Sequence, residues 1–349
     1  MSKILEVCLS PNIGGLELYM KDLTIEIDAL AVVGKSSKLK HYFDNKEIKY
    51  FQIKRNSFIK LAKIIDENHI DIVHFHWTKD LPTVVLAKIF SKTKPKIVQT
   101  RHMHMTRFKS DFYHKFLYKN VNAIIAVTNL VKEQLEKFIP KEIRPNIIKS
   151  YIGVRDFKPI DSKRKDELKN KLGLKDEFIV SIVGRIEEAK GQYKVLEAVE
   201  RLRQNGENIK ALIVGHSMEE SYLKDLKSRY KDDIFTGFVD NTNEYMQISN
   251  CLVLATKKET FGLVLVEAMR CGICVIANNK GGPLEIIEDG KSGLLFDGEK
   301  QDDLKEKIYL CMKDEALLKS LAINGKNRAS EIFDEVKQFN EVKGILKSI

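Results

Sequence analysis

Ten short apolar runs recur along the chain, at 4–9, 29–33, 72–75, 96–100 and 123–127, then at 178–183, 210–214, 251–255, 274–277 and 293–296. Each is four to six residues long, and the stretches between them carry apolar residues at helical spacing. Strands that alternate with helices are joined by crossovers, and crossovers give parallel sheets with helices on both faces. The pattern predicts an α/β chain of doubly wound, Rossmann-like sheets. It breaks across a polar stretch rich in Lys and Asp, from Arg155-Asp156 to Lys175-Asp176-Glu177, and resumes at Phe178. A chain of 349 residues has room for two domains of ordinary size. The boundary falls in that stretch, with a linker at 153–160. The expected division is 1–155, 156–333 and a terminal helical segment at 334–349.

Charge separates the halves. Residues 1–160 carry 28 Lys and Arg against 16 Asp and Glu, whereas the remainder carries 31 against 33. A basic half suits an anionic partner such as nucleic acid or lipid headgroups, and equally suits a lysine-rich solvated surface. The segment 107–119 illustrates both readings: Phe108, Phe112, Tyr113 and Phe116 share a helical face, with Lys109, Lys115 and Lys119 off it. Such a helix can lie on an anionic membrane, but a core-facing stripe with a lysine-rich outer face is the favoured reading. No apolar run approaches the roughly 20 residues that span a bilayer. Five scattered cysteines, an odd number, point to reduced thiols and a cytoplasmic protein.

Candidate site residues concentrate after the strands. Glu259 and Glu267 flank Thr260-Phe261-Gly262-Leu263-Val264-Leu265-Val266, followed by Gly281-Gly282-Pro283-Leu284-Glu285. A helix is expected over about 263–270, stopped by Gly272, with Glu267 inside it and Glu259 on the loop before it. Three carboxylates lining one polar pocket suit a ligand rich in hydroxyls. Gly184-Arg185 and Lys190-Gly191 leave the run 178–183, where open sheets bind ligands. Their guanidinium and ammonium suit a diphosphate, or they form a solvated turn. Gly14-Gly15, before Glu17, opens either an anion-binding helix start or an ordinary one. His74 and His76, and His102 and His104, stand at strand ends. With no carboxylate or cysteine at ligand spacing nearby, packing or support is favoured over a metal for the first pair. His102, beside Arg101, is the better catalytic candidate. Cys271 and Cys274 are read as packing thiols.

Together these residues resemble the retaining glycosyltransferases of family 4. The resemblance runs through Gly184-Arg185, Lys190-Gly191, Phe235-Thr236-Gly237-Phe238-Val239, Glu259 and Glu267 and Gly281-Gly282-Pro283-Leu284-Glu285. It is thinner, but in order, at Gly14-Gly15-x-Glu17, Asp71-Ile72-Val73-His74 and Thr100-x-His102. It implies a GT-B fold: two doubly wound domains facing across a cleft, the second holding a nucleotide-diphosphate sugar and the first its acceptor, with the C-terminal helix crossing back. Arg185 and Lys190 would neutralise the leaving diphosphate, after Gly184, and Glu267 would accept the ribose hydroxyls. Glu259 would face the donor sugar, near the backbone N–H groups of Phe261, Gly262 and Leu263. Gly281, Gly282 and Glu285 would close the donor pocket, and Gly15 would let the first domain's loop close over the phosphates. His102 would hydrogen-bond the donor sugar near its anomeric centre, and Glu17, His76 and Arg101 would stand on the acceptor side. No metal or other cofactor is implied beyond the UDP- or GDP-sugar co-substrate.

The chain departs from the family pattern in a short region after Gly15, in Tyr151-Ile152 where an asparagine usually precedes Gly153-Val154, and in Lys257-Lys258 before Glu259. The expected activity is hexose transfer to a glycan or glycolipid, such as lipopolysaccharide core, by a protein peripheral to the cytoplasmic face of the inner membrane. A GT-B nucleotide-sugar epimerase and a basic nucleic-acid-binding protein are the alternatives. The epimerase class lacks the two glutamates with the following glycine turn. No nucleic-acid partner is expected, because no helix-turn-helix, zinc or RNA-binding motif is present.

Overall fold

The computed structural model describes residues 2–45 and 48–349. The chain forms two compact units, Met1–Gly153 with Glu335–Ile349, and Val154–Asp334. The first contains β1 (Ile4–Cys8), β2 (Leu30–Gly34), β3 (Tyr50–Ile53), β4 (Ile72–Phe75), β5 (Lys96–Arg101), β6 (Ala123–Ala126) and β7 (Asn146–Lys149). They form one parallel sheet in the order β3-β2-β1-β4-β5-β6-β7. The second contains β8 (Phe178–Val183), β9 (Ile209–Val214), β10 (Ile234–Gly237), β11 (Cys251–Leu254), β12 (Cys274–Asn278) and β13 (Leu294–Phe296). These too are parallel, in the order β10-β9-β8-β11-β12-β13.

All ten apolar runs become strands. β1, β4 and β11 are buried along their whole length, as strands covered on both faces must be. The three strands that no apolar run marked, β3, β7 and β10, are all edge strands. Their residues are mostly half-buried, so they need no continuous apolar sequence.

The strand order reverses between β1 and β4 in the first sheet and between β8 and β11 in the second. At such a switch point the neighbouring loops leave in opposite directions, and a crevice opens beyond the carboxyl ends of the strands. Helix Leu263–Arg270 begins after Gly262, at φ 106°, and stops at Gly272, at φ 74°. The stop is closed by Gly272 N–H to Met269 O at 2.9 Å and Ile273 N–H to Ala268 O at 3.0 Å. In the first unit, C-terminal helix Glu335–Ser348 packs Phe339 edge-on against Tyr19, with ring centroids 5.5 Å apart.

The aromatic segment corrects the core-facing expectation. Its helix spans Phe112–Lys119, capped by Asp111, which accepts from His114 N–H at 3.0 Å. It buries Leu117 and Tyr118 and leaves the stripe outside: Phe112 is 89% exposed, and Phe108, Tyr113 and Phe116 are exposed as well. All five cysteines are free, and Cys274 packs its sulfur 3.9 Å from that of Cys311.

Candidate active site

Within Val154–Asp334, the switch point assembles the charged motifs. The loop after β8 carries Arg185 and Lys190, and the loop after β11 carries Glu259. Lys190 Nζ lies 3.1 Å from Glu259 Oε2. Gly191, at φ 74°, lets the two loops touch: a Cβ there would stand 3.0 Å from Ala255 O. The Arg185 guanidinium pairs with Glu187 at 3.1 Å and remains about half exposed, while buried Gln192 donates to Arg185 O at 2.8 Å and ties the loop down. Each cation is thus paired with a carboxylate, Arg185 with Glu187 and Lys190 with Glu259, in pairs that remain partly exposed and can exchange a partner for an anionic ligand.

The glycine turn after β12 closes on the same loop. Gly282 donates its N–H to Glu259 O at 2.9 Å. A Cβ on Gly281 would stand 2.4 Å from Glu259 O, and one on Gly282 only 2.2 Å from Phe261 O. No side chain fits at either position, so Gly281 and Gly282 hold the backbone of Glu259–Phe261 against the turn. Gly262 and Leu263 then open the helix, whose first N–H groups cannot be satisfied within it. Glu285 lies in the single helical turn Pro283–Ile286, and its carbonyl accepts from Arg328 at 3.1 Å. The Glu267 carboxylate is half-buried, with no hydrogen bond or ion pair among the described residues. Burial pushes its pKa up to about 7, against the opposing pull of Arg155. A carboxyl that titrates near neutrality and has no protein partner among the described residues has its oxygens open to a ligand's hydroxyls.

The loops after β8, β9 and β10 are laced together. Ile186 N–H bonds to His216 O at 2.9 Å and Gly215 N–H to Gly237 O at 3.0 Å. Gly215 must be glycine, since a Cβ would sit 1.8 Å from Gly184 O. His216 meets the exposed Phe238 ring edge-on at 6.2 Å.

In the first unit, Gly14 caps helix Gly15–Glu26 through its carbonyl, which accepts from Leu18 N–H at 3.0 Å, and Glu17 is buried in the helix's first turn. His102 follows β5 and is half-buried. Two further residues expected on the acceptor side are buried, as Glu17 is. His76 is 1% exposed, held between Glu6 and His102. Arg101 is 5% exposed, and its guanidinium is spent on Met103 O, His104 O and Thr78 Oγ1 at 2.7–2.8 Å, shaping the loop that carries His102. Sequence spacing also offered no carboxylate near the histidines. The fold supplies Glu6 from the middle of β1, its Oε1 2.9 Å from His74 Nδ1 and its Oε2 2.7 Å from His76 Nε2. An acid between Leu5 and Val7 in a wholly buried strand was the signal for it. Those three residues place their ligand-type atoms within 4.8 Å of one another. The array is hydrogen-bonded: each imidazole has its own carboxylate oxygen, and each ring's second nitrogen is engaged, by Thr100 or by His102.

Comparisons with known proteins identify the family. Residues 164–328 match the family described as glycosyl transferases group 1, and residues 37–148 match glycosyltransferase family 4. The chain is a glycosyltransferase of the family 4 type. N-acetyl-alpha-D-glucosaminyl L-malate synthase of Bacillus anthracis is 25% identical over 82% of this chain and 77% of its own. Alpha-monoglucosyldiacylglycerol synthase of Acholeplasma laidlawii is 26% identical over 76% and 73%. Anabaena Alr3699/HepE, solved in complex with UDP and glucose, shares the fold with a TM-score of 0.87 over the whole of both chains at 22% identity. The glycosyltransferase thus has the GT-B fold, and among its described residues no helix is long and apolar enough to cross a membrane.

Proposed function

We propose that this glycosyltransferase moves a hexose from a UDP- or GDP-sugar to a glycan or glycolipid acceptor with retained anomeric configuration, and without a metal. The observation that carries the reading is the Arg185, Lys190 and Glu259 cluster at the switch point of the second sheet. Departure of a nucleoside diphosphate breaks the bond between anomeric carbon and phosphate oxygen and leaves charge on the diphosphate. Arg185 and Lys190 stabilise that charge as it develops, in the place a metal would otherwise take. Gly184 gives their loop its turn. Glu259 orients the sugar and shares Lys190 with the diphosphate, and the N–H groups of Phe261, Gly262 and Leu263 face the phosphate and sugar oxygens. Glu267 takes the ribose hydroxyls, and Gly281, Gly282 and Glu285 close the pocket. Residues 156–333 are the donor domain in this reading. Residues 1–155 supply His102 to the transferred sugar, Gly15 to the phosphates and Glu17 to the acceptor side, with 334–349 as the returning helix.

A UDP-sugar is the first donor to try, because a protein of the same fold binds UDP and glucose. The acceptor reading, surface glycan or lipopolysaccharide synthesis at the cytoplasmic face of the inner membrane, is supported by the exposed aromatic stripe with Lys109, Lys115 and Lys119. An apolar face rimmed by lysines fits an anionic lipid surface, and one relative acts as a glucosyldiacylglycerol synthase. The test follows nucleotide release from a panel of UDP- and GDP-sugars with and without chelator. Activity should persist in chelator and fall at least about 100-fold in Arg185→Ala and Glu259→Ala; release that survives both substitutions overturns the assignments.

A further inference from the structure

Glu6, His76 and His102 form a chain that begins on a fully buried carboxylate and ends on a half-buried histidine. Glu6 Oε2 lies 2.7 Å from His76 Nε2, and His76 Nδ1 lies 3.3 Å from His102 Nε2. Tyr19 fixes the planes of both rings, edge-on at 5.7 Å to His76 and 5.0 Å to His102.

Protons in this chain can be ordered in one way. An ionised carboxylate only accepts, so His76 Nε2 carries the proton and donates it to Glu6. Glu6 stays ionised: burial alone would raise its pKa, but the two histidines hold it at about 2. His76 is neutral, burial keeping it at about 4, so its Nδ1 has a bare lone pair that can only accept. His102 Nε2 must then be the donor. His102 is itself held well below its ordinary pKa by burial and by His76, which leaves its Nδ1 bare. His102 makes no other hydrogen bond among the described residues.

We propose that Glu6 is a positioning residue that, through His76, locks His102 as the Nε2–H tautomer, so that Nδ1 accepts a hydrogen bond from a hydroxyl of the transferred sugar. The proposal rests on the reading that His102 contacts that sugar. A buried anion two residues removed from the ligand thus decides whether the working imidazole accepts or donates, the role an outer partner plays for any functional histidine.

Long-range proton–nitrogen correlation spectra of the full chain, with the His102 signals assigned by their loss in His102→Ala, read the tautomer directly. The expected result in the wild type at neutral pH is a single Nε2–H form. An Nδ1–H form or an imidazolium overturns the proposal whatever the activity shows. In Glu6→Leu and His76→Ala the His102 signals should become a mixture of tautomers, and kcat should fall about 10- to 100-fold with KM for the nucleotide sugar within about twofold. A folded Glu6→Leu protein with unchanged tautomer and kcat also overturns it. If neither variant folds, the wild-type spectrum still decides. A His102→Ala enzyme with wild-type kcat would instead remove the underlying reading of His102 as a sugar contact, and with it the sugar half of the proposal.

Discussion

Gly282→Ala is the sharpest perturbation of the proposed donor site, because the added atom meets backbone and not a side chain that can swing away. Its Cβ would lie 2.2 Å from Phe261 O, 2.5 Å from Phe261 Cα and 2.6 Å from Phe261 C. Gly282 itself lies at φ −55°, where alanine is content, so the effect is pure collision. To reach tolerable contact, the turn and the Glu259–Phe261 loop must separate by roughly 1 Å. That movement stretches the 2.9 Å bond from Gly282 N–H to Glu259 O and carries Glu259 and the start of the following helix with it. Overpacking of this kind costs about 1–3 kcal/mol, or roughly 2–12 °C in melting temperature for a unit of this size. A displacement of about 1 Å at a reacting centre costs about 100-fold in rate. Gly290→Ala is the control: its φ is 73°, but nothing lies within 4 Å of the new Cβ. It should lose about 1–2 kcal/mol of stability through backbone strain alone and keep its kcat. Nucleotide-sugar turnover and thermal melting on both variants decide the matter. If Gly282→Ala transfers sugar at the wild-type rate and melts no lower than Gly290→Ala, the glycine turn does not hold the donor loop.

Glu267→Gln should trade binding for stability. Since the folded pKa of about 7 lies above the ordinary 4.5, the folded state keeps a proton that the unfolded state has lost between those values. Wild-type stability therefore falls as pH rises from about 4.5 to 7, by at most about 3 kcal/mol, and less to the extent that water reaches the carboxylate. The glutamine variant should melt higher than wild type at pH 8, equally at pH 4, and bind nucleotide about 10-fold more weakly, one hydrogen bond to the ligand being lost; equal melting at both pH values refutes the burial argument. Lys190→Ala removes half of a partly exposed ion pair, so its unfolding free energy should stay within about 1 kcal/mol of wild type while turnover falls about 100-fold. The double substitution Phe112→Ser with Phe116→Ser should leave melting unchanged and weaken co-sedimentation with anionic vesicles. Vesicle binding that is unaltered would remove the lipid-surface reading.

What could be read from the chain depended on how far apart the cooperating residues lie. The motifs proposed to hold the donor are local: Glu259, Gly262 and Glu267 share one strand–loop–helix unit, so spacing alone placed Glu267 within a helix that indeed spans Leu263–Arg270. The central strands were legible for the same reason, because burial on both faces writes itself as an unbroken apolar run. Edge strands β3, β7 and β10 escaped since a half-exposed strand needs no such run. The aromatic stripe of Phe108, Phe112 and Phe116 had helical spacing, but periodicity identifies a face without saying whether it turns inward or out. It is Leu117 and Tyr118 that point inward.

The first unit's polar array was hidden more deeply. His74 and Thr100 are 26 residues apart and Glu6 and His76 are 70 apart, and only the order β1-β4-β5 makes them neighbours. Register does the rest: Glu6 pairs with His74 across β1 and β4, and side chains alternate along a strand, so residue 76 returns to the face of residue 74. Such an array is expensive to bury unless every member is bonded, and here Glu6, His74 and His76 each have partners at both ends. A sheet could have filled the same space with Val and Ile, as its neighbouring positions do. An ionised carboxylate held among three histidines and a threonine instead gives the strand ends a defined order of donors and acceptors. The chemistry of His102 is then a property of the sheet's interior as much as of its own loop.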